Sequence, residues 1–369
     1  MKLKLKNTPE QVELIKAIGS RNAATSKEAS ETFAAFLGPV IQKVLLTAGT
    51  ASSVYTDAEY DEDDSPSFPL DLYYGQADNH IQVWSQSVAG GLPTSEVHGM
   101  QELKISTYRL DSAVSFQKQY ARKARLDVVA AAIERMSNEV LVKQERNAWA
   151  VILKALAEAS TTPKGGSALK HVIASATESD FGLTDLNSLM TRIKRINESY
   201  SGNTPIAPYS TGITHLYLSP EMKAKVRAFA FNPIRTDSGA TQNLPDNVRE
   251  EIFRAAGAEE IFGVKLVELV ELGIGKKYNT LFDSFGAGVA PGGGGGTFAA
   301  ADDEILVGID QSRGAFIRPV ARQAESGGTF NAIPDDQFSI NRVDKVGFYG
   351  FLEEGRVCID SRAIVGIAV

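Results

Sequence analysis

The longest regular pattern of apolar positions lies between Arg122 and Ala159. Neither Gly nor Pro interrupts this stretch, and charged residues occupy its other faces. Apolar residues recur at alternating spacings of three and four, which is typical of one long amphipathic helix with a buried stripe. The predicted core face consists of Leu126, Val129, Ile133, Met136, Val140, Ile152 and Leu156.

Shorter helical patterns precede this helix. Thr8–Gln11 (TPEQ) supplies an N-cap, a proline at the first helical position and a glutamine at the third, and Gly19 ends the helix. A second helix is expected over Lys27–Leu37, with Gly38-Pro39 interrupting it before Val40–Leu46. Such short pieces cannot form a compact unit alone, so we expect them to lie on another part of the protein.

Residues 81–116 have the alternating pattern of extended chain. One run begins at Ile81, and another contains Leu103, Ile105 and Thr107. The linker between the runs, Ser87–Met100, is broken by glycines and a proline, so the pattern predicts a large projecting hairpin. A two-stranded ribbon is marginally stable by itself and needs a partner surface.

A mixture of helices and strands is predicted downstream, which places the chain in the α+β class. One helix starts near Thr184, and another follows the strand Ile213–Leu218 directly, because Ser219 can cap it and Pro220 fits its first position. Further strands are expected at Val264–Val270, Ile305–Ile309, Phe316–Val320 and Arg356–Val369.

The composition of the chain excludes several classes of protein. The chain has 369 residues, 43% of them hydrophobic, and its 38 Lys+Arg against 45 Asp+Glu give a formal charge of −7. It can bury a core but has no basic excess for tight, sequence-specific nucleic-acid binding. Its single cysteine excludes an intramolecular disulfide. No apolar run reaches the roughly 20 residues of a membrane span, and Met1–Lys6 does not resemble a signal peptide, so we expect a soluble protein that stays in the cytoplasm.

Two segments invite a test for ligand binding. The acidic run Asp57–Asp64 lacks the glycine and glutamate that a calcium loop needs, since Glu62 and Phe68 stand at those positions. We therefore interpret it as a solvated loop. The glycine run Pro291–Gly296 is followed by no lysine and no helix, which excludes a P-loop and a dinucleotide fingerprint. We interpret it as a surface loop.

No catalytic, metal-binding or cofactor-binding constellation is found. Cys358 lies in an alternating strand and is expected to be a small packed hydrophobe. The acidic pair Glu353-Glu354 adjoins Gly355 and is interpreted as a solvated turn. None of the four histidines has a second one at metal-ligand spacing: His80, His98, His171 and His215. The sequence therefore predicts a protein that is not an enzyme and that acts by binding copies of something.

The order of parts resembles the major capsid protein of tailed bacteriophages, the HK97-like fold, over roughly Ile81 to Val369. Thr107–Phe116, leading into Arg125–Val129, is similar to the join between that family's extended loop and its spine helix. Leu216–Met222 resembles its peripheral-domain element. Two later strands, Phe262–Glu268 and Ile305–Asp310, resemble paired strands of its axial domain.

This resemblance implies a shell subunit that forms pentamers and hexamers around double-stranded DNA, in an icosahedral or prolate virion. It also implies domain boundaries. These are an N-terminal arm (1–69), an extended loop with its return strand (70–121), a spine helix with a peripheral domain (122–230), an axial domain (231–320), a peripheral return (321–350) and a C-terminal axial strand (351–369).

The family's extended loop lies across a neighbouring subunit, so the resemblance assigns contact with a neighbour to Trp84, Leu92, Pro93, Lys104 and Tyr108. Some members join a loop lysine to an asparagine covalently. Lys104 matches loosely, but Gly347 stands where the asparagine would align, so we predict no cross-link. No long charged pro-segment precedes the arm, which implies a separate scaffolding protein or assembly without one.

Portal and decoration proteins are further implied partners, with non-specific contact to the packaged DNA and assembly in a bacterial cytoplasm. Two alternatives stay open. An encapsulin-like nanocompartment shell shares the fold, although such chains are generally shorter and lack so long an arm. A non-assembling enzyme would need ionisable residues that converge in space.

Overall fold

The computed structural model describes residues 8–369, apart from 48, 62–63, 70–101, 124–125, 162–166, 199–211, 229–233, 236–240, 243–259, 290, 294–295, 323–328 and 336–343. The chain forms two compact units. The first comprises residues 1–67, 104–148 and 317–357, and the second comprises 68–103, 149–316 and 358–369. The six domain boundaries implied by the resemblance remain predictions.

Two helices open the first unit. Helix α1 spans Pro9–Ile18, and the Thr8 side chain accepts a hydrogen bond from the Gln11 backbone N–H, as predicted. Helix α2 spans Ala23–Thr47 without a break at Pro39, so the predicted interruption is wrong. Leu37 and Ile41, on either side of the proline, are fully buried. Their packing outweighs the hydrogen bond that a proline removes from a helix.

The sheet of the first unit has six strands. They are β1 (Thr56–Asp61), β4 (Tyr108–Gln117), β14 (Phe316–Arg322), β15 (Asn331–Asp335), β16 (Lys345–Glu354) and β17 (Val357–Cys358). Strand β16 pairs antiparallel with β4 along its whole length, from Lys345 opposite Gln117 to Glu354 opposite Tyr108. Strand β15 lies antiparallel on its other side, and β1 runs parallel to β14.

The long helix begins later than its pattern suggested. A short helix α3 spans Lys118–Arg122, and helix α4 spans Leu126–Glu158, a length of about 50 Å at 1.5 Å per residue. The predicted core face is confirmed where the side chains are described: Val129, Ile133, Met136, Val140, Ile152 and Leu156 are all buried. The side chain of Leu126 lies outside the described residues.

In the first unit, the N-terminal part of α4 packs into one apolar cluster with α1, α2 and the inner face of the sheet. Val129, Ile133 and Met136 share this cluster with Phe33 of α2 and Phe348 of β16. The Phe33 and Phe348 ring centroids are 5.4 Å apart. The N-terminal helices thus depend on the rest of the unit for their burial, as predicted.

The second unit is built on a mixed six-stranded sheet, which confirms the α+β class. Its strands, in spatial order, are β11 (Glu260–Ile261), β12 (Val264–Glu268), β8 (His215–Leu218), β13 (Ile305–Ile309), β18 (Ile364–Ala368) and β7 (Val172–Ala174). Strand β12 runs parallel to β8, whereas β13 is antiparallel to both β8 and β18. Every residue of β13 and β18 is buried.

Three helices of the second unit accompany this sheet. Helix α5 (Leu183–Glu198) buries one apolar face. Helix α6 (Pro220–Ala228) starts as predicted, since the Ser219 hydroxyl accepts a hydrogen bond of 3.1 Å from the Met222 backbone N–H. Helix α7 spans Lys277–Ser284. Short strand pairs complete the described elements: β2 (Ser67–Pro69) with β3 (Glu102–Lys104), β5 (Ser160–Thr161) with β6 (Leu169–Lys170), and β9 (Ile234–Arg235) with β10 (Thr241–Gln242).

The C-terminal strand prediction is wrong in part. Arg356–Val369 was expected to be continuous, but a short 3-10 helix at Ser361–Ala363 separates β17 from β18. The Asp360 carboxylate causes this break, because it caps the helix by accepting a hydrogen bond from the Arg362 backbone N–H at 3.0 Å. In the glycine run, Pro291–Gly293 form another short 3-10 helix, and Gly292 has a positive φ of 71°.

Candidate functional site

The two chain segments that flank residues 70–101 are joined to each other. The Ile105 backbone N–H donates to the Pro66 carbonyl oxygen at 3.1 Å, and strands β2 and β3 are hydrogen-bonded neighbours. The chain therefore leaves after β2 and returns at β3 in one place. Ile105 is buried there, whereas Lys104 is exposed. Trp84, Leu92 and Pro93 lie outside the described residues.

Two adjacent glutamates at the end of β16 hold the returning chain. The Glu353 carboxylate accepts a hydrogen bond of 2.6 Å from the Thr107 hydroxyl and one of 3.2 Å from the Tyr60 hydroxyl. The Glu354 carboxylate accepts one of 2.8 Å from the Tyr108 hydroxyl. We call Thr107, Tyr108, Glu353 and Glu354 the loop anchor.

Glu354 is completely buried, so the predicted solvated turn is wrong. Gln144 of α4 donates to its second oxygen at 2.9 Å. The Arg356 guanidinium, only 3% exposed, lies 3.3 Å from the carboxylate and supplies the opposite charge that a buried carboxylate requires. Arg356 also stacks over the Tyr55 ring, 4.7 Å from its centroid.

Burial and neighbouring charges shift the pKa values of Tyr108 and Arg356 in this network. Burial, reinforced by the Glu354 carboxylate, raises the pKa of Tyr108 far above its usual range, which keeps its hydroxyl a proton donor. Burial opposes the charged form of Arg356, but the Glu354 carboxylate, Tyr55 and Tyr108 together outweigh it and raise the pKa of Arg356. The network therefore holds one carboxylate, one guanidinium and a neutral phenol.

The acidic run is not a solvated loop either. Most of it forms strand β1, and Asp57 makes a two-point ion pair with Arg318 of β14, with the Arg318 Nε atom 2.6 Å from Asp57 Oδ1. The Arg318 side chain is 6% exposed. This pair stabilises β1 beside β14 by charge-assisted hydrogen bonds. The alternating sequence of β1 (TDAEYD) was a signal for a strand that its acidity obscured.

The residues predicted to contact a neighbour thus divide into three groups. Tyr108 makes its hydrogen bond within its own chain, Lys104 is exposed, and the other three are not described. Contact with a neighbour stays a prediction for all five. The predicted set omitted Glu353, Glu354 and Arg356, for which no local pattern gave a signal.

Three further ionisable side chains, those of Cys358, His171 and His215, are buried or partly buried. Burial raises the pKa of the Cys358 thiol to about 12, which makes it a poor nucleophile at neutral pH and agrees with a packing role. His171 is fully buried, with Nδ1 2.8 Å from the Ile364 carbonyl oxygen and Nε2 2.8 Å from the Thr161 hydroxyl. His215 contacts the Thr214 hydroxyl through Nδ1 at 3.0 Å.

None of the described groups of His, Cys, Asp and Glu has three members placed to hold a metal ion. Within the same residues, no helix has the length and apolar character to cross a membrane.

Several solved structures are similar to the chain at low sequence identity. One from Microbacterium phage Oxtober96 is 12% identical, with a TM-score of 0.48 over 87% of this chain and 91% of the other. The capsid of the cyanophage P-SCSP1u is 14% identical, with a TM-score of 0.45 over 87% and 88%. A procapsid of satellite phage P4, which includes its size determination protein, is 10% identical, with a TM-score of 0.43 over 89% of each chain. No protein-family model and no curated protein matches the chain.

Proposed function

We propose that this chain is a major capsid protein of the HK97-like fold, whose copies form pentamers and hexamers of a closed shell around double-stranded DNA. The observation that carries the proposal is the hydrogen-bonded pairing of the two segments that flank residues 70–101. The chain leaves and returns at one place, between Pro66 and Ile105, and then enters β4, α3 and the long helix α4. The sequence resemblance assigns this order to an extended loop followed by a spine helix.

Physical features of the chain support this role. A ribbon that leaves one subunit gains stability by burying apolar surface on another, and repeated modest contacts around symmetry axes drive closed assembly. The net charge of −7 suits a shell that must not bind its packaged DNA tightly. The solved structures whose titles name a capsid or a procapsid support only the role of a shell protein.

Partners follow from the same role. One P4 structure is a procapsid that includes a size determination protein. For this chain we propose a separate scaffolding protein or unassisted assembly, together with a portal and decoration proteins. Assembly takes place in the cytoplasm of a bacterial host, and the product is the shell of a virion.

The first experiment is expression of the full chain, size-exclusion chromatography and negative-stain electron microscopy. The proposal predicts closed particles, and in infected cells or with packaging partners these contain nucleic acid. Particles filled with a cargo enzyme would identify a nanocompartment shell instead. A folded monomer with measurable turnover would support the enzyme alternative and contradict the proposal.

Shell stabilisation by a covalent link between subunits is not expected. Lys104 is exposed and could serve as the amine. Gly347, however, offers no side-chain amide, and it lies inside β16, opposite Ser115 on one side and Asp335 on the other. Purified particles that are boiled in reducing detergent should run as a monomer on a gel. A ladder of multimers would overturn this prediction.

A further inference from the structure

We infer that the loop anchor fixes the position of the chain that follows residues 70–101, at Ile105–Tyr108, and that shell assembly requires this position to be fixed. Its four residues are positioning residues for assembly. The inference rests on the proposed function and adds to it a specific set of side chains. It stands on the contacts of described residues alone.

The two glutamates of the anchor hydrogen-bond to the returning chain on opposite faces of the sheet. Successive side chains of a strand point to opposite faces, so Glu353 and Glu354 reach in opposite directions. Glu353 joins Thr107 to Tyr60 of β1. Glu354 joins Tyr108 to Gln144 of α4 on the face where the apolar core lies. A chain held on two faces has lost its freedom to tilt about the sheet edge.

The turn after β16 adds a steric constraint at the same place. A Cβ atom on Gly355 would lie 3.0 Å from Ile105 Cγ2 and 3.0 Å from Pro319 Cγ. The Gly355 backbone N–H donates to the Pro319 carbonyl oxygen at 2.8 Å. The return segment therefore lies tightly against this turn, and a larger residue at this position would require Ile105 and Pro319 to move by a few tenths of an ångström.

The chemistry of the anchor favours positioning over stabilisation. Apolar burial is non-directional, and replacement of a buried ion pair by well-packed apolar residues is often neutral or stabilising. Hydrogen bonds to a carboxylate, in contrast, demand a defined distance and angle. A buried network of such bonds fixes the position of Thr107 and Tyr108 more than it adds to the free energy of folding.

The test uses a variant that removes both hydroxyl donors and keeps the side-chain shapes, Thr107→Val combined with Tyr108→Phe. The matched control is Tyr349→Phe, because Tyr349 of β16 also donates a hydrogen bond to a carboxylate, that of Asp111 on β4. The control thus removes a tyrosine–carboxylate bond from the same strand pair, together with the bond of 2.8 Å that the Tyr349 hydroxyl accepts from Arg109, and leaves all four anchor residues unchanged.

Two readouts are needed. Amide hydrogen exchange of the unassembled chain at residues 102–107 should be about tenfold faster in the double variant, since a hydrogen bond to a charged group is lost at each site. The yield of closed shells should fall by about tenfold or more, with open or irregular products in their place, because small angular errors accumulate around a closed shell. The control should match the wild type in both readouts.

The outcomes separate the two hypotheses. If the wild type forms shells and the double variant forms them equally well despite faster exchange, the inference is overturned and the proposed function stands. If the wild type forms no shells, either alone or with a co-expressed scaffolding protein, the proposed function fails and the inference fails with it. Should the double variant not fold, Tyr108→Phe alone takes its place, with an intermediate loss of shells expected and an unchanged yield again overturning the inference.

Discussion

The sheets of the two units differ in what they bury. Strands β13 and β18 of the second unit are buried at every position and consist of apolar residues and glycine. Strands β4 and β16 of the first unit also bury apolar side chains, such as Phe116, Val346 and Phe348, but β16 ends at the buried Glu354. The first sheet thus carries a buried charge within a strand. In the second unit the charged cluster lies beside the strands, where Asp310 follows β13 and pairs with Arg313, and Asp360 pairs with Arg313 and Arg362 before β18.

Apolar burial and charged networks contribute differently to the stability of a protein. Burial of apolar area supplies most of the free energy of folding and tolerates many arrangements. A buried charged network contributes little net free energy to folding. The loss of one member is nevertheless strongly destabilising, because the remaining charge stays buried without a partner. The comparison predicts that substitutions that leave a cavity destabilise the second unit most. In the first unit, the loop anchor and Arg356 should be most sensitive to substitutions that remove a hydrogen-bond or ion-pair partner.

The largest effect is expected in the second unit, from Trp149→Ala. Trp149 is fully buried, and its ring centroid lies 4.9 Å from that of Tyr217 and 5.8 Å from that of Tyr278. The cavity should lower the free energy of unfolding by about 4 kcal/mol, measured by urea denaturation. Val142→Ala on the same helix, where the residue is 40% exposed, should change it by less than about 0.5 kcal/mol. Equal effects would refute the assigned burial.

The next effect concerns the charged network. Glu354→Gln leaves Arg356 buried without its counter-charge, so it should lower the free energy of unfolding by about 3 kcal/mol. The double variant Glu354→Gln with Arg356→Met removes both charges and should recover part of this loss. If the double variant is less stable than the single one, the two charges do not depend on each other and the contrast between the sheets is lost.

Helix caps provide a smaller and matched pair of changes. Ser219→Ala removes the cap of α6 in the second unit and should cost about 1 kcal/mol. Thr8→Ala removes the cap of α1, whose hydrogen bond is longer at 3.4 Å, and should cost less. Thermal denaturation of both variants measures the difference. A larger loss from Thr8→Ala would show that the cap geometry does not govern these helices.

The smallest effect is a pH dependence in the second unit. Burial lowers the pKa of folded His171 below its usual value of 6.5, and the nearby Arg192 and Arg362 act in the same direction. The unfolded state therefore takes up more protons as the pH falls through about 6.5, and stability decreases toward acid. Between about pH 7.5 and about pH 5.5, the wild type should lose more stability than His171→Gln. An identical loss would exclude His171 as the source.

Local patterns predicted those parts of the fold that depend on neighbours in sequence. The stripe of α4, the Ser219-Pro220 start of α6 and the apolar strand β13 each carry their signal within a few residues. The continuation of α2 through Pro39 depends instead on distant packing. The burial of Glu354 likewise depends on Tyr108 and Gln144, more than 200 residues earlier in the chain. No local pattern distinguishes such a glutamate from one in a solvated turn.

The most direct test of the account is an electron cryomicroscopy map of the assembled particle. We expect Trp84, Leu92 and Pro93 of one copy to lie against a neighbouring copy, while Tyr108 keeps its hydrogen bond to Glu354 of its own chain. Residues 70–101 folded back onto their own subunit, or a protein that remains a folded monomer at every concentration, would contradict it.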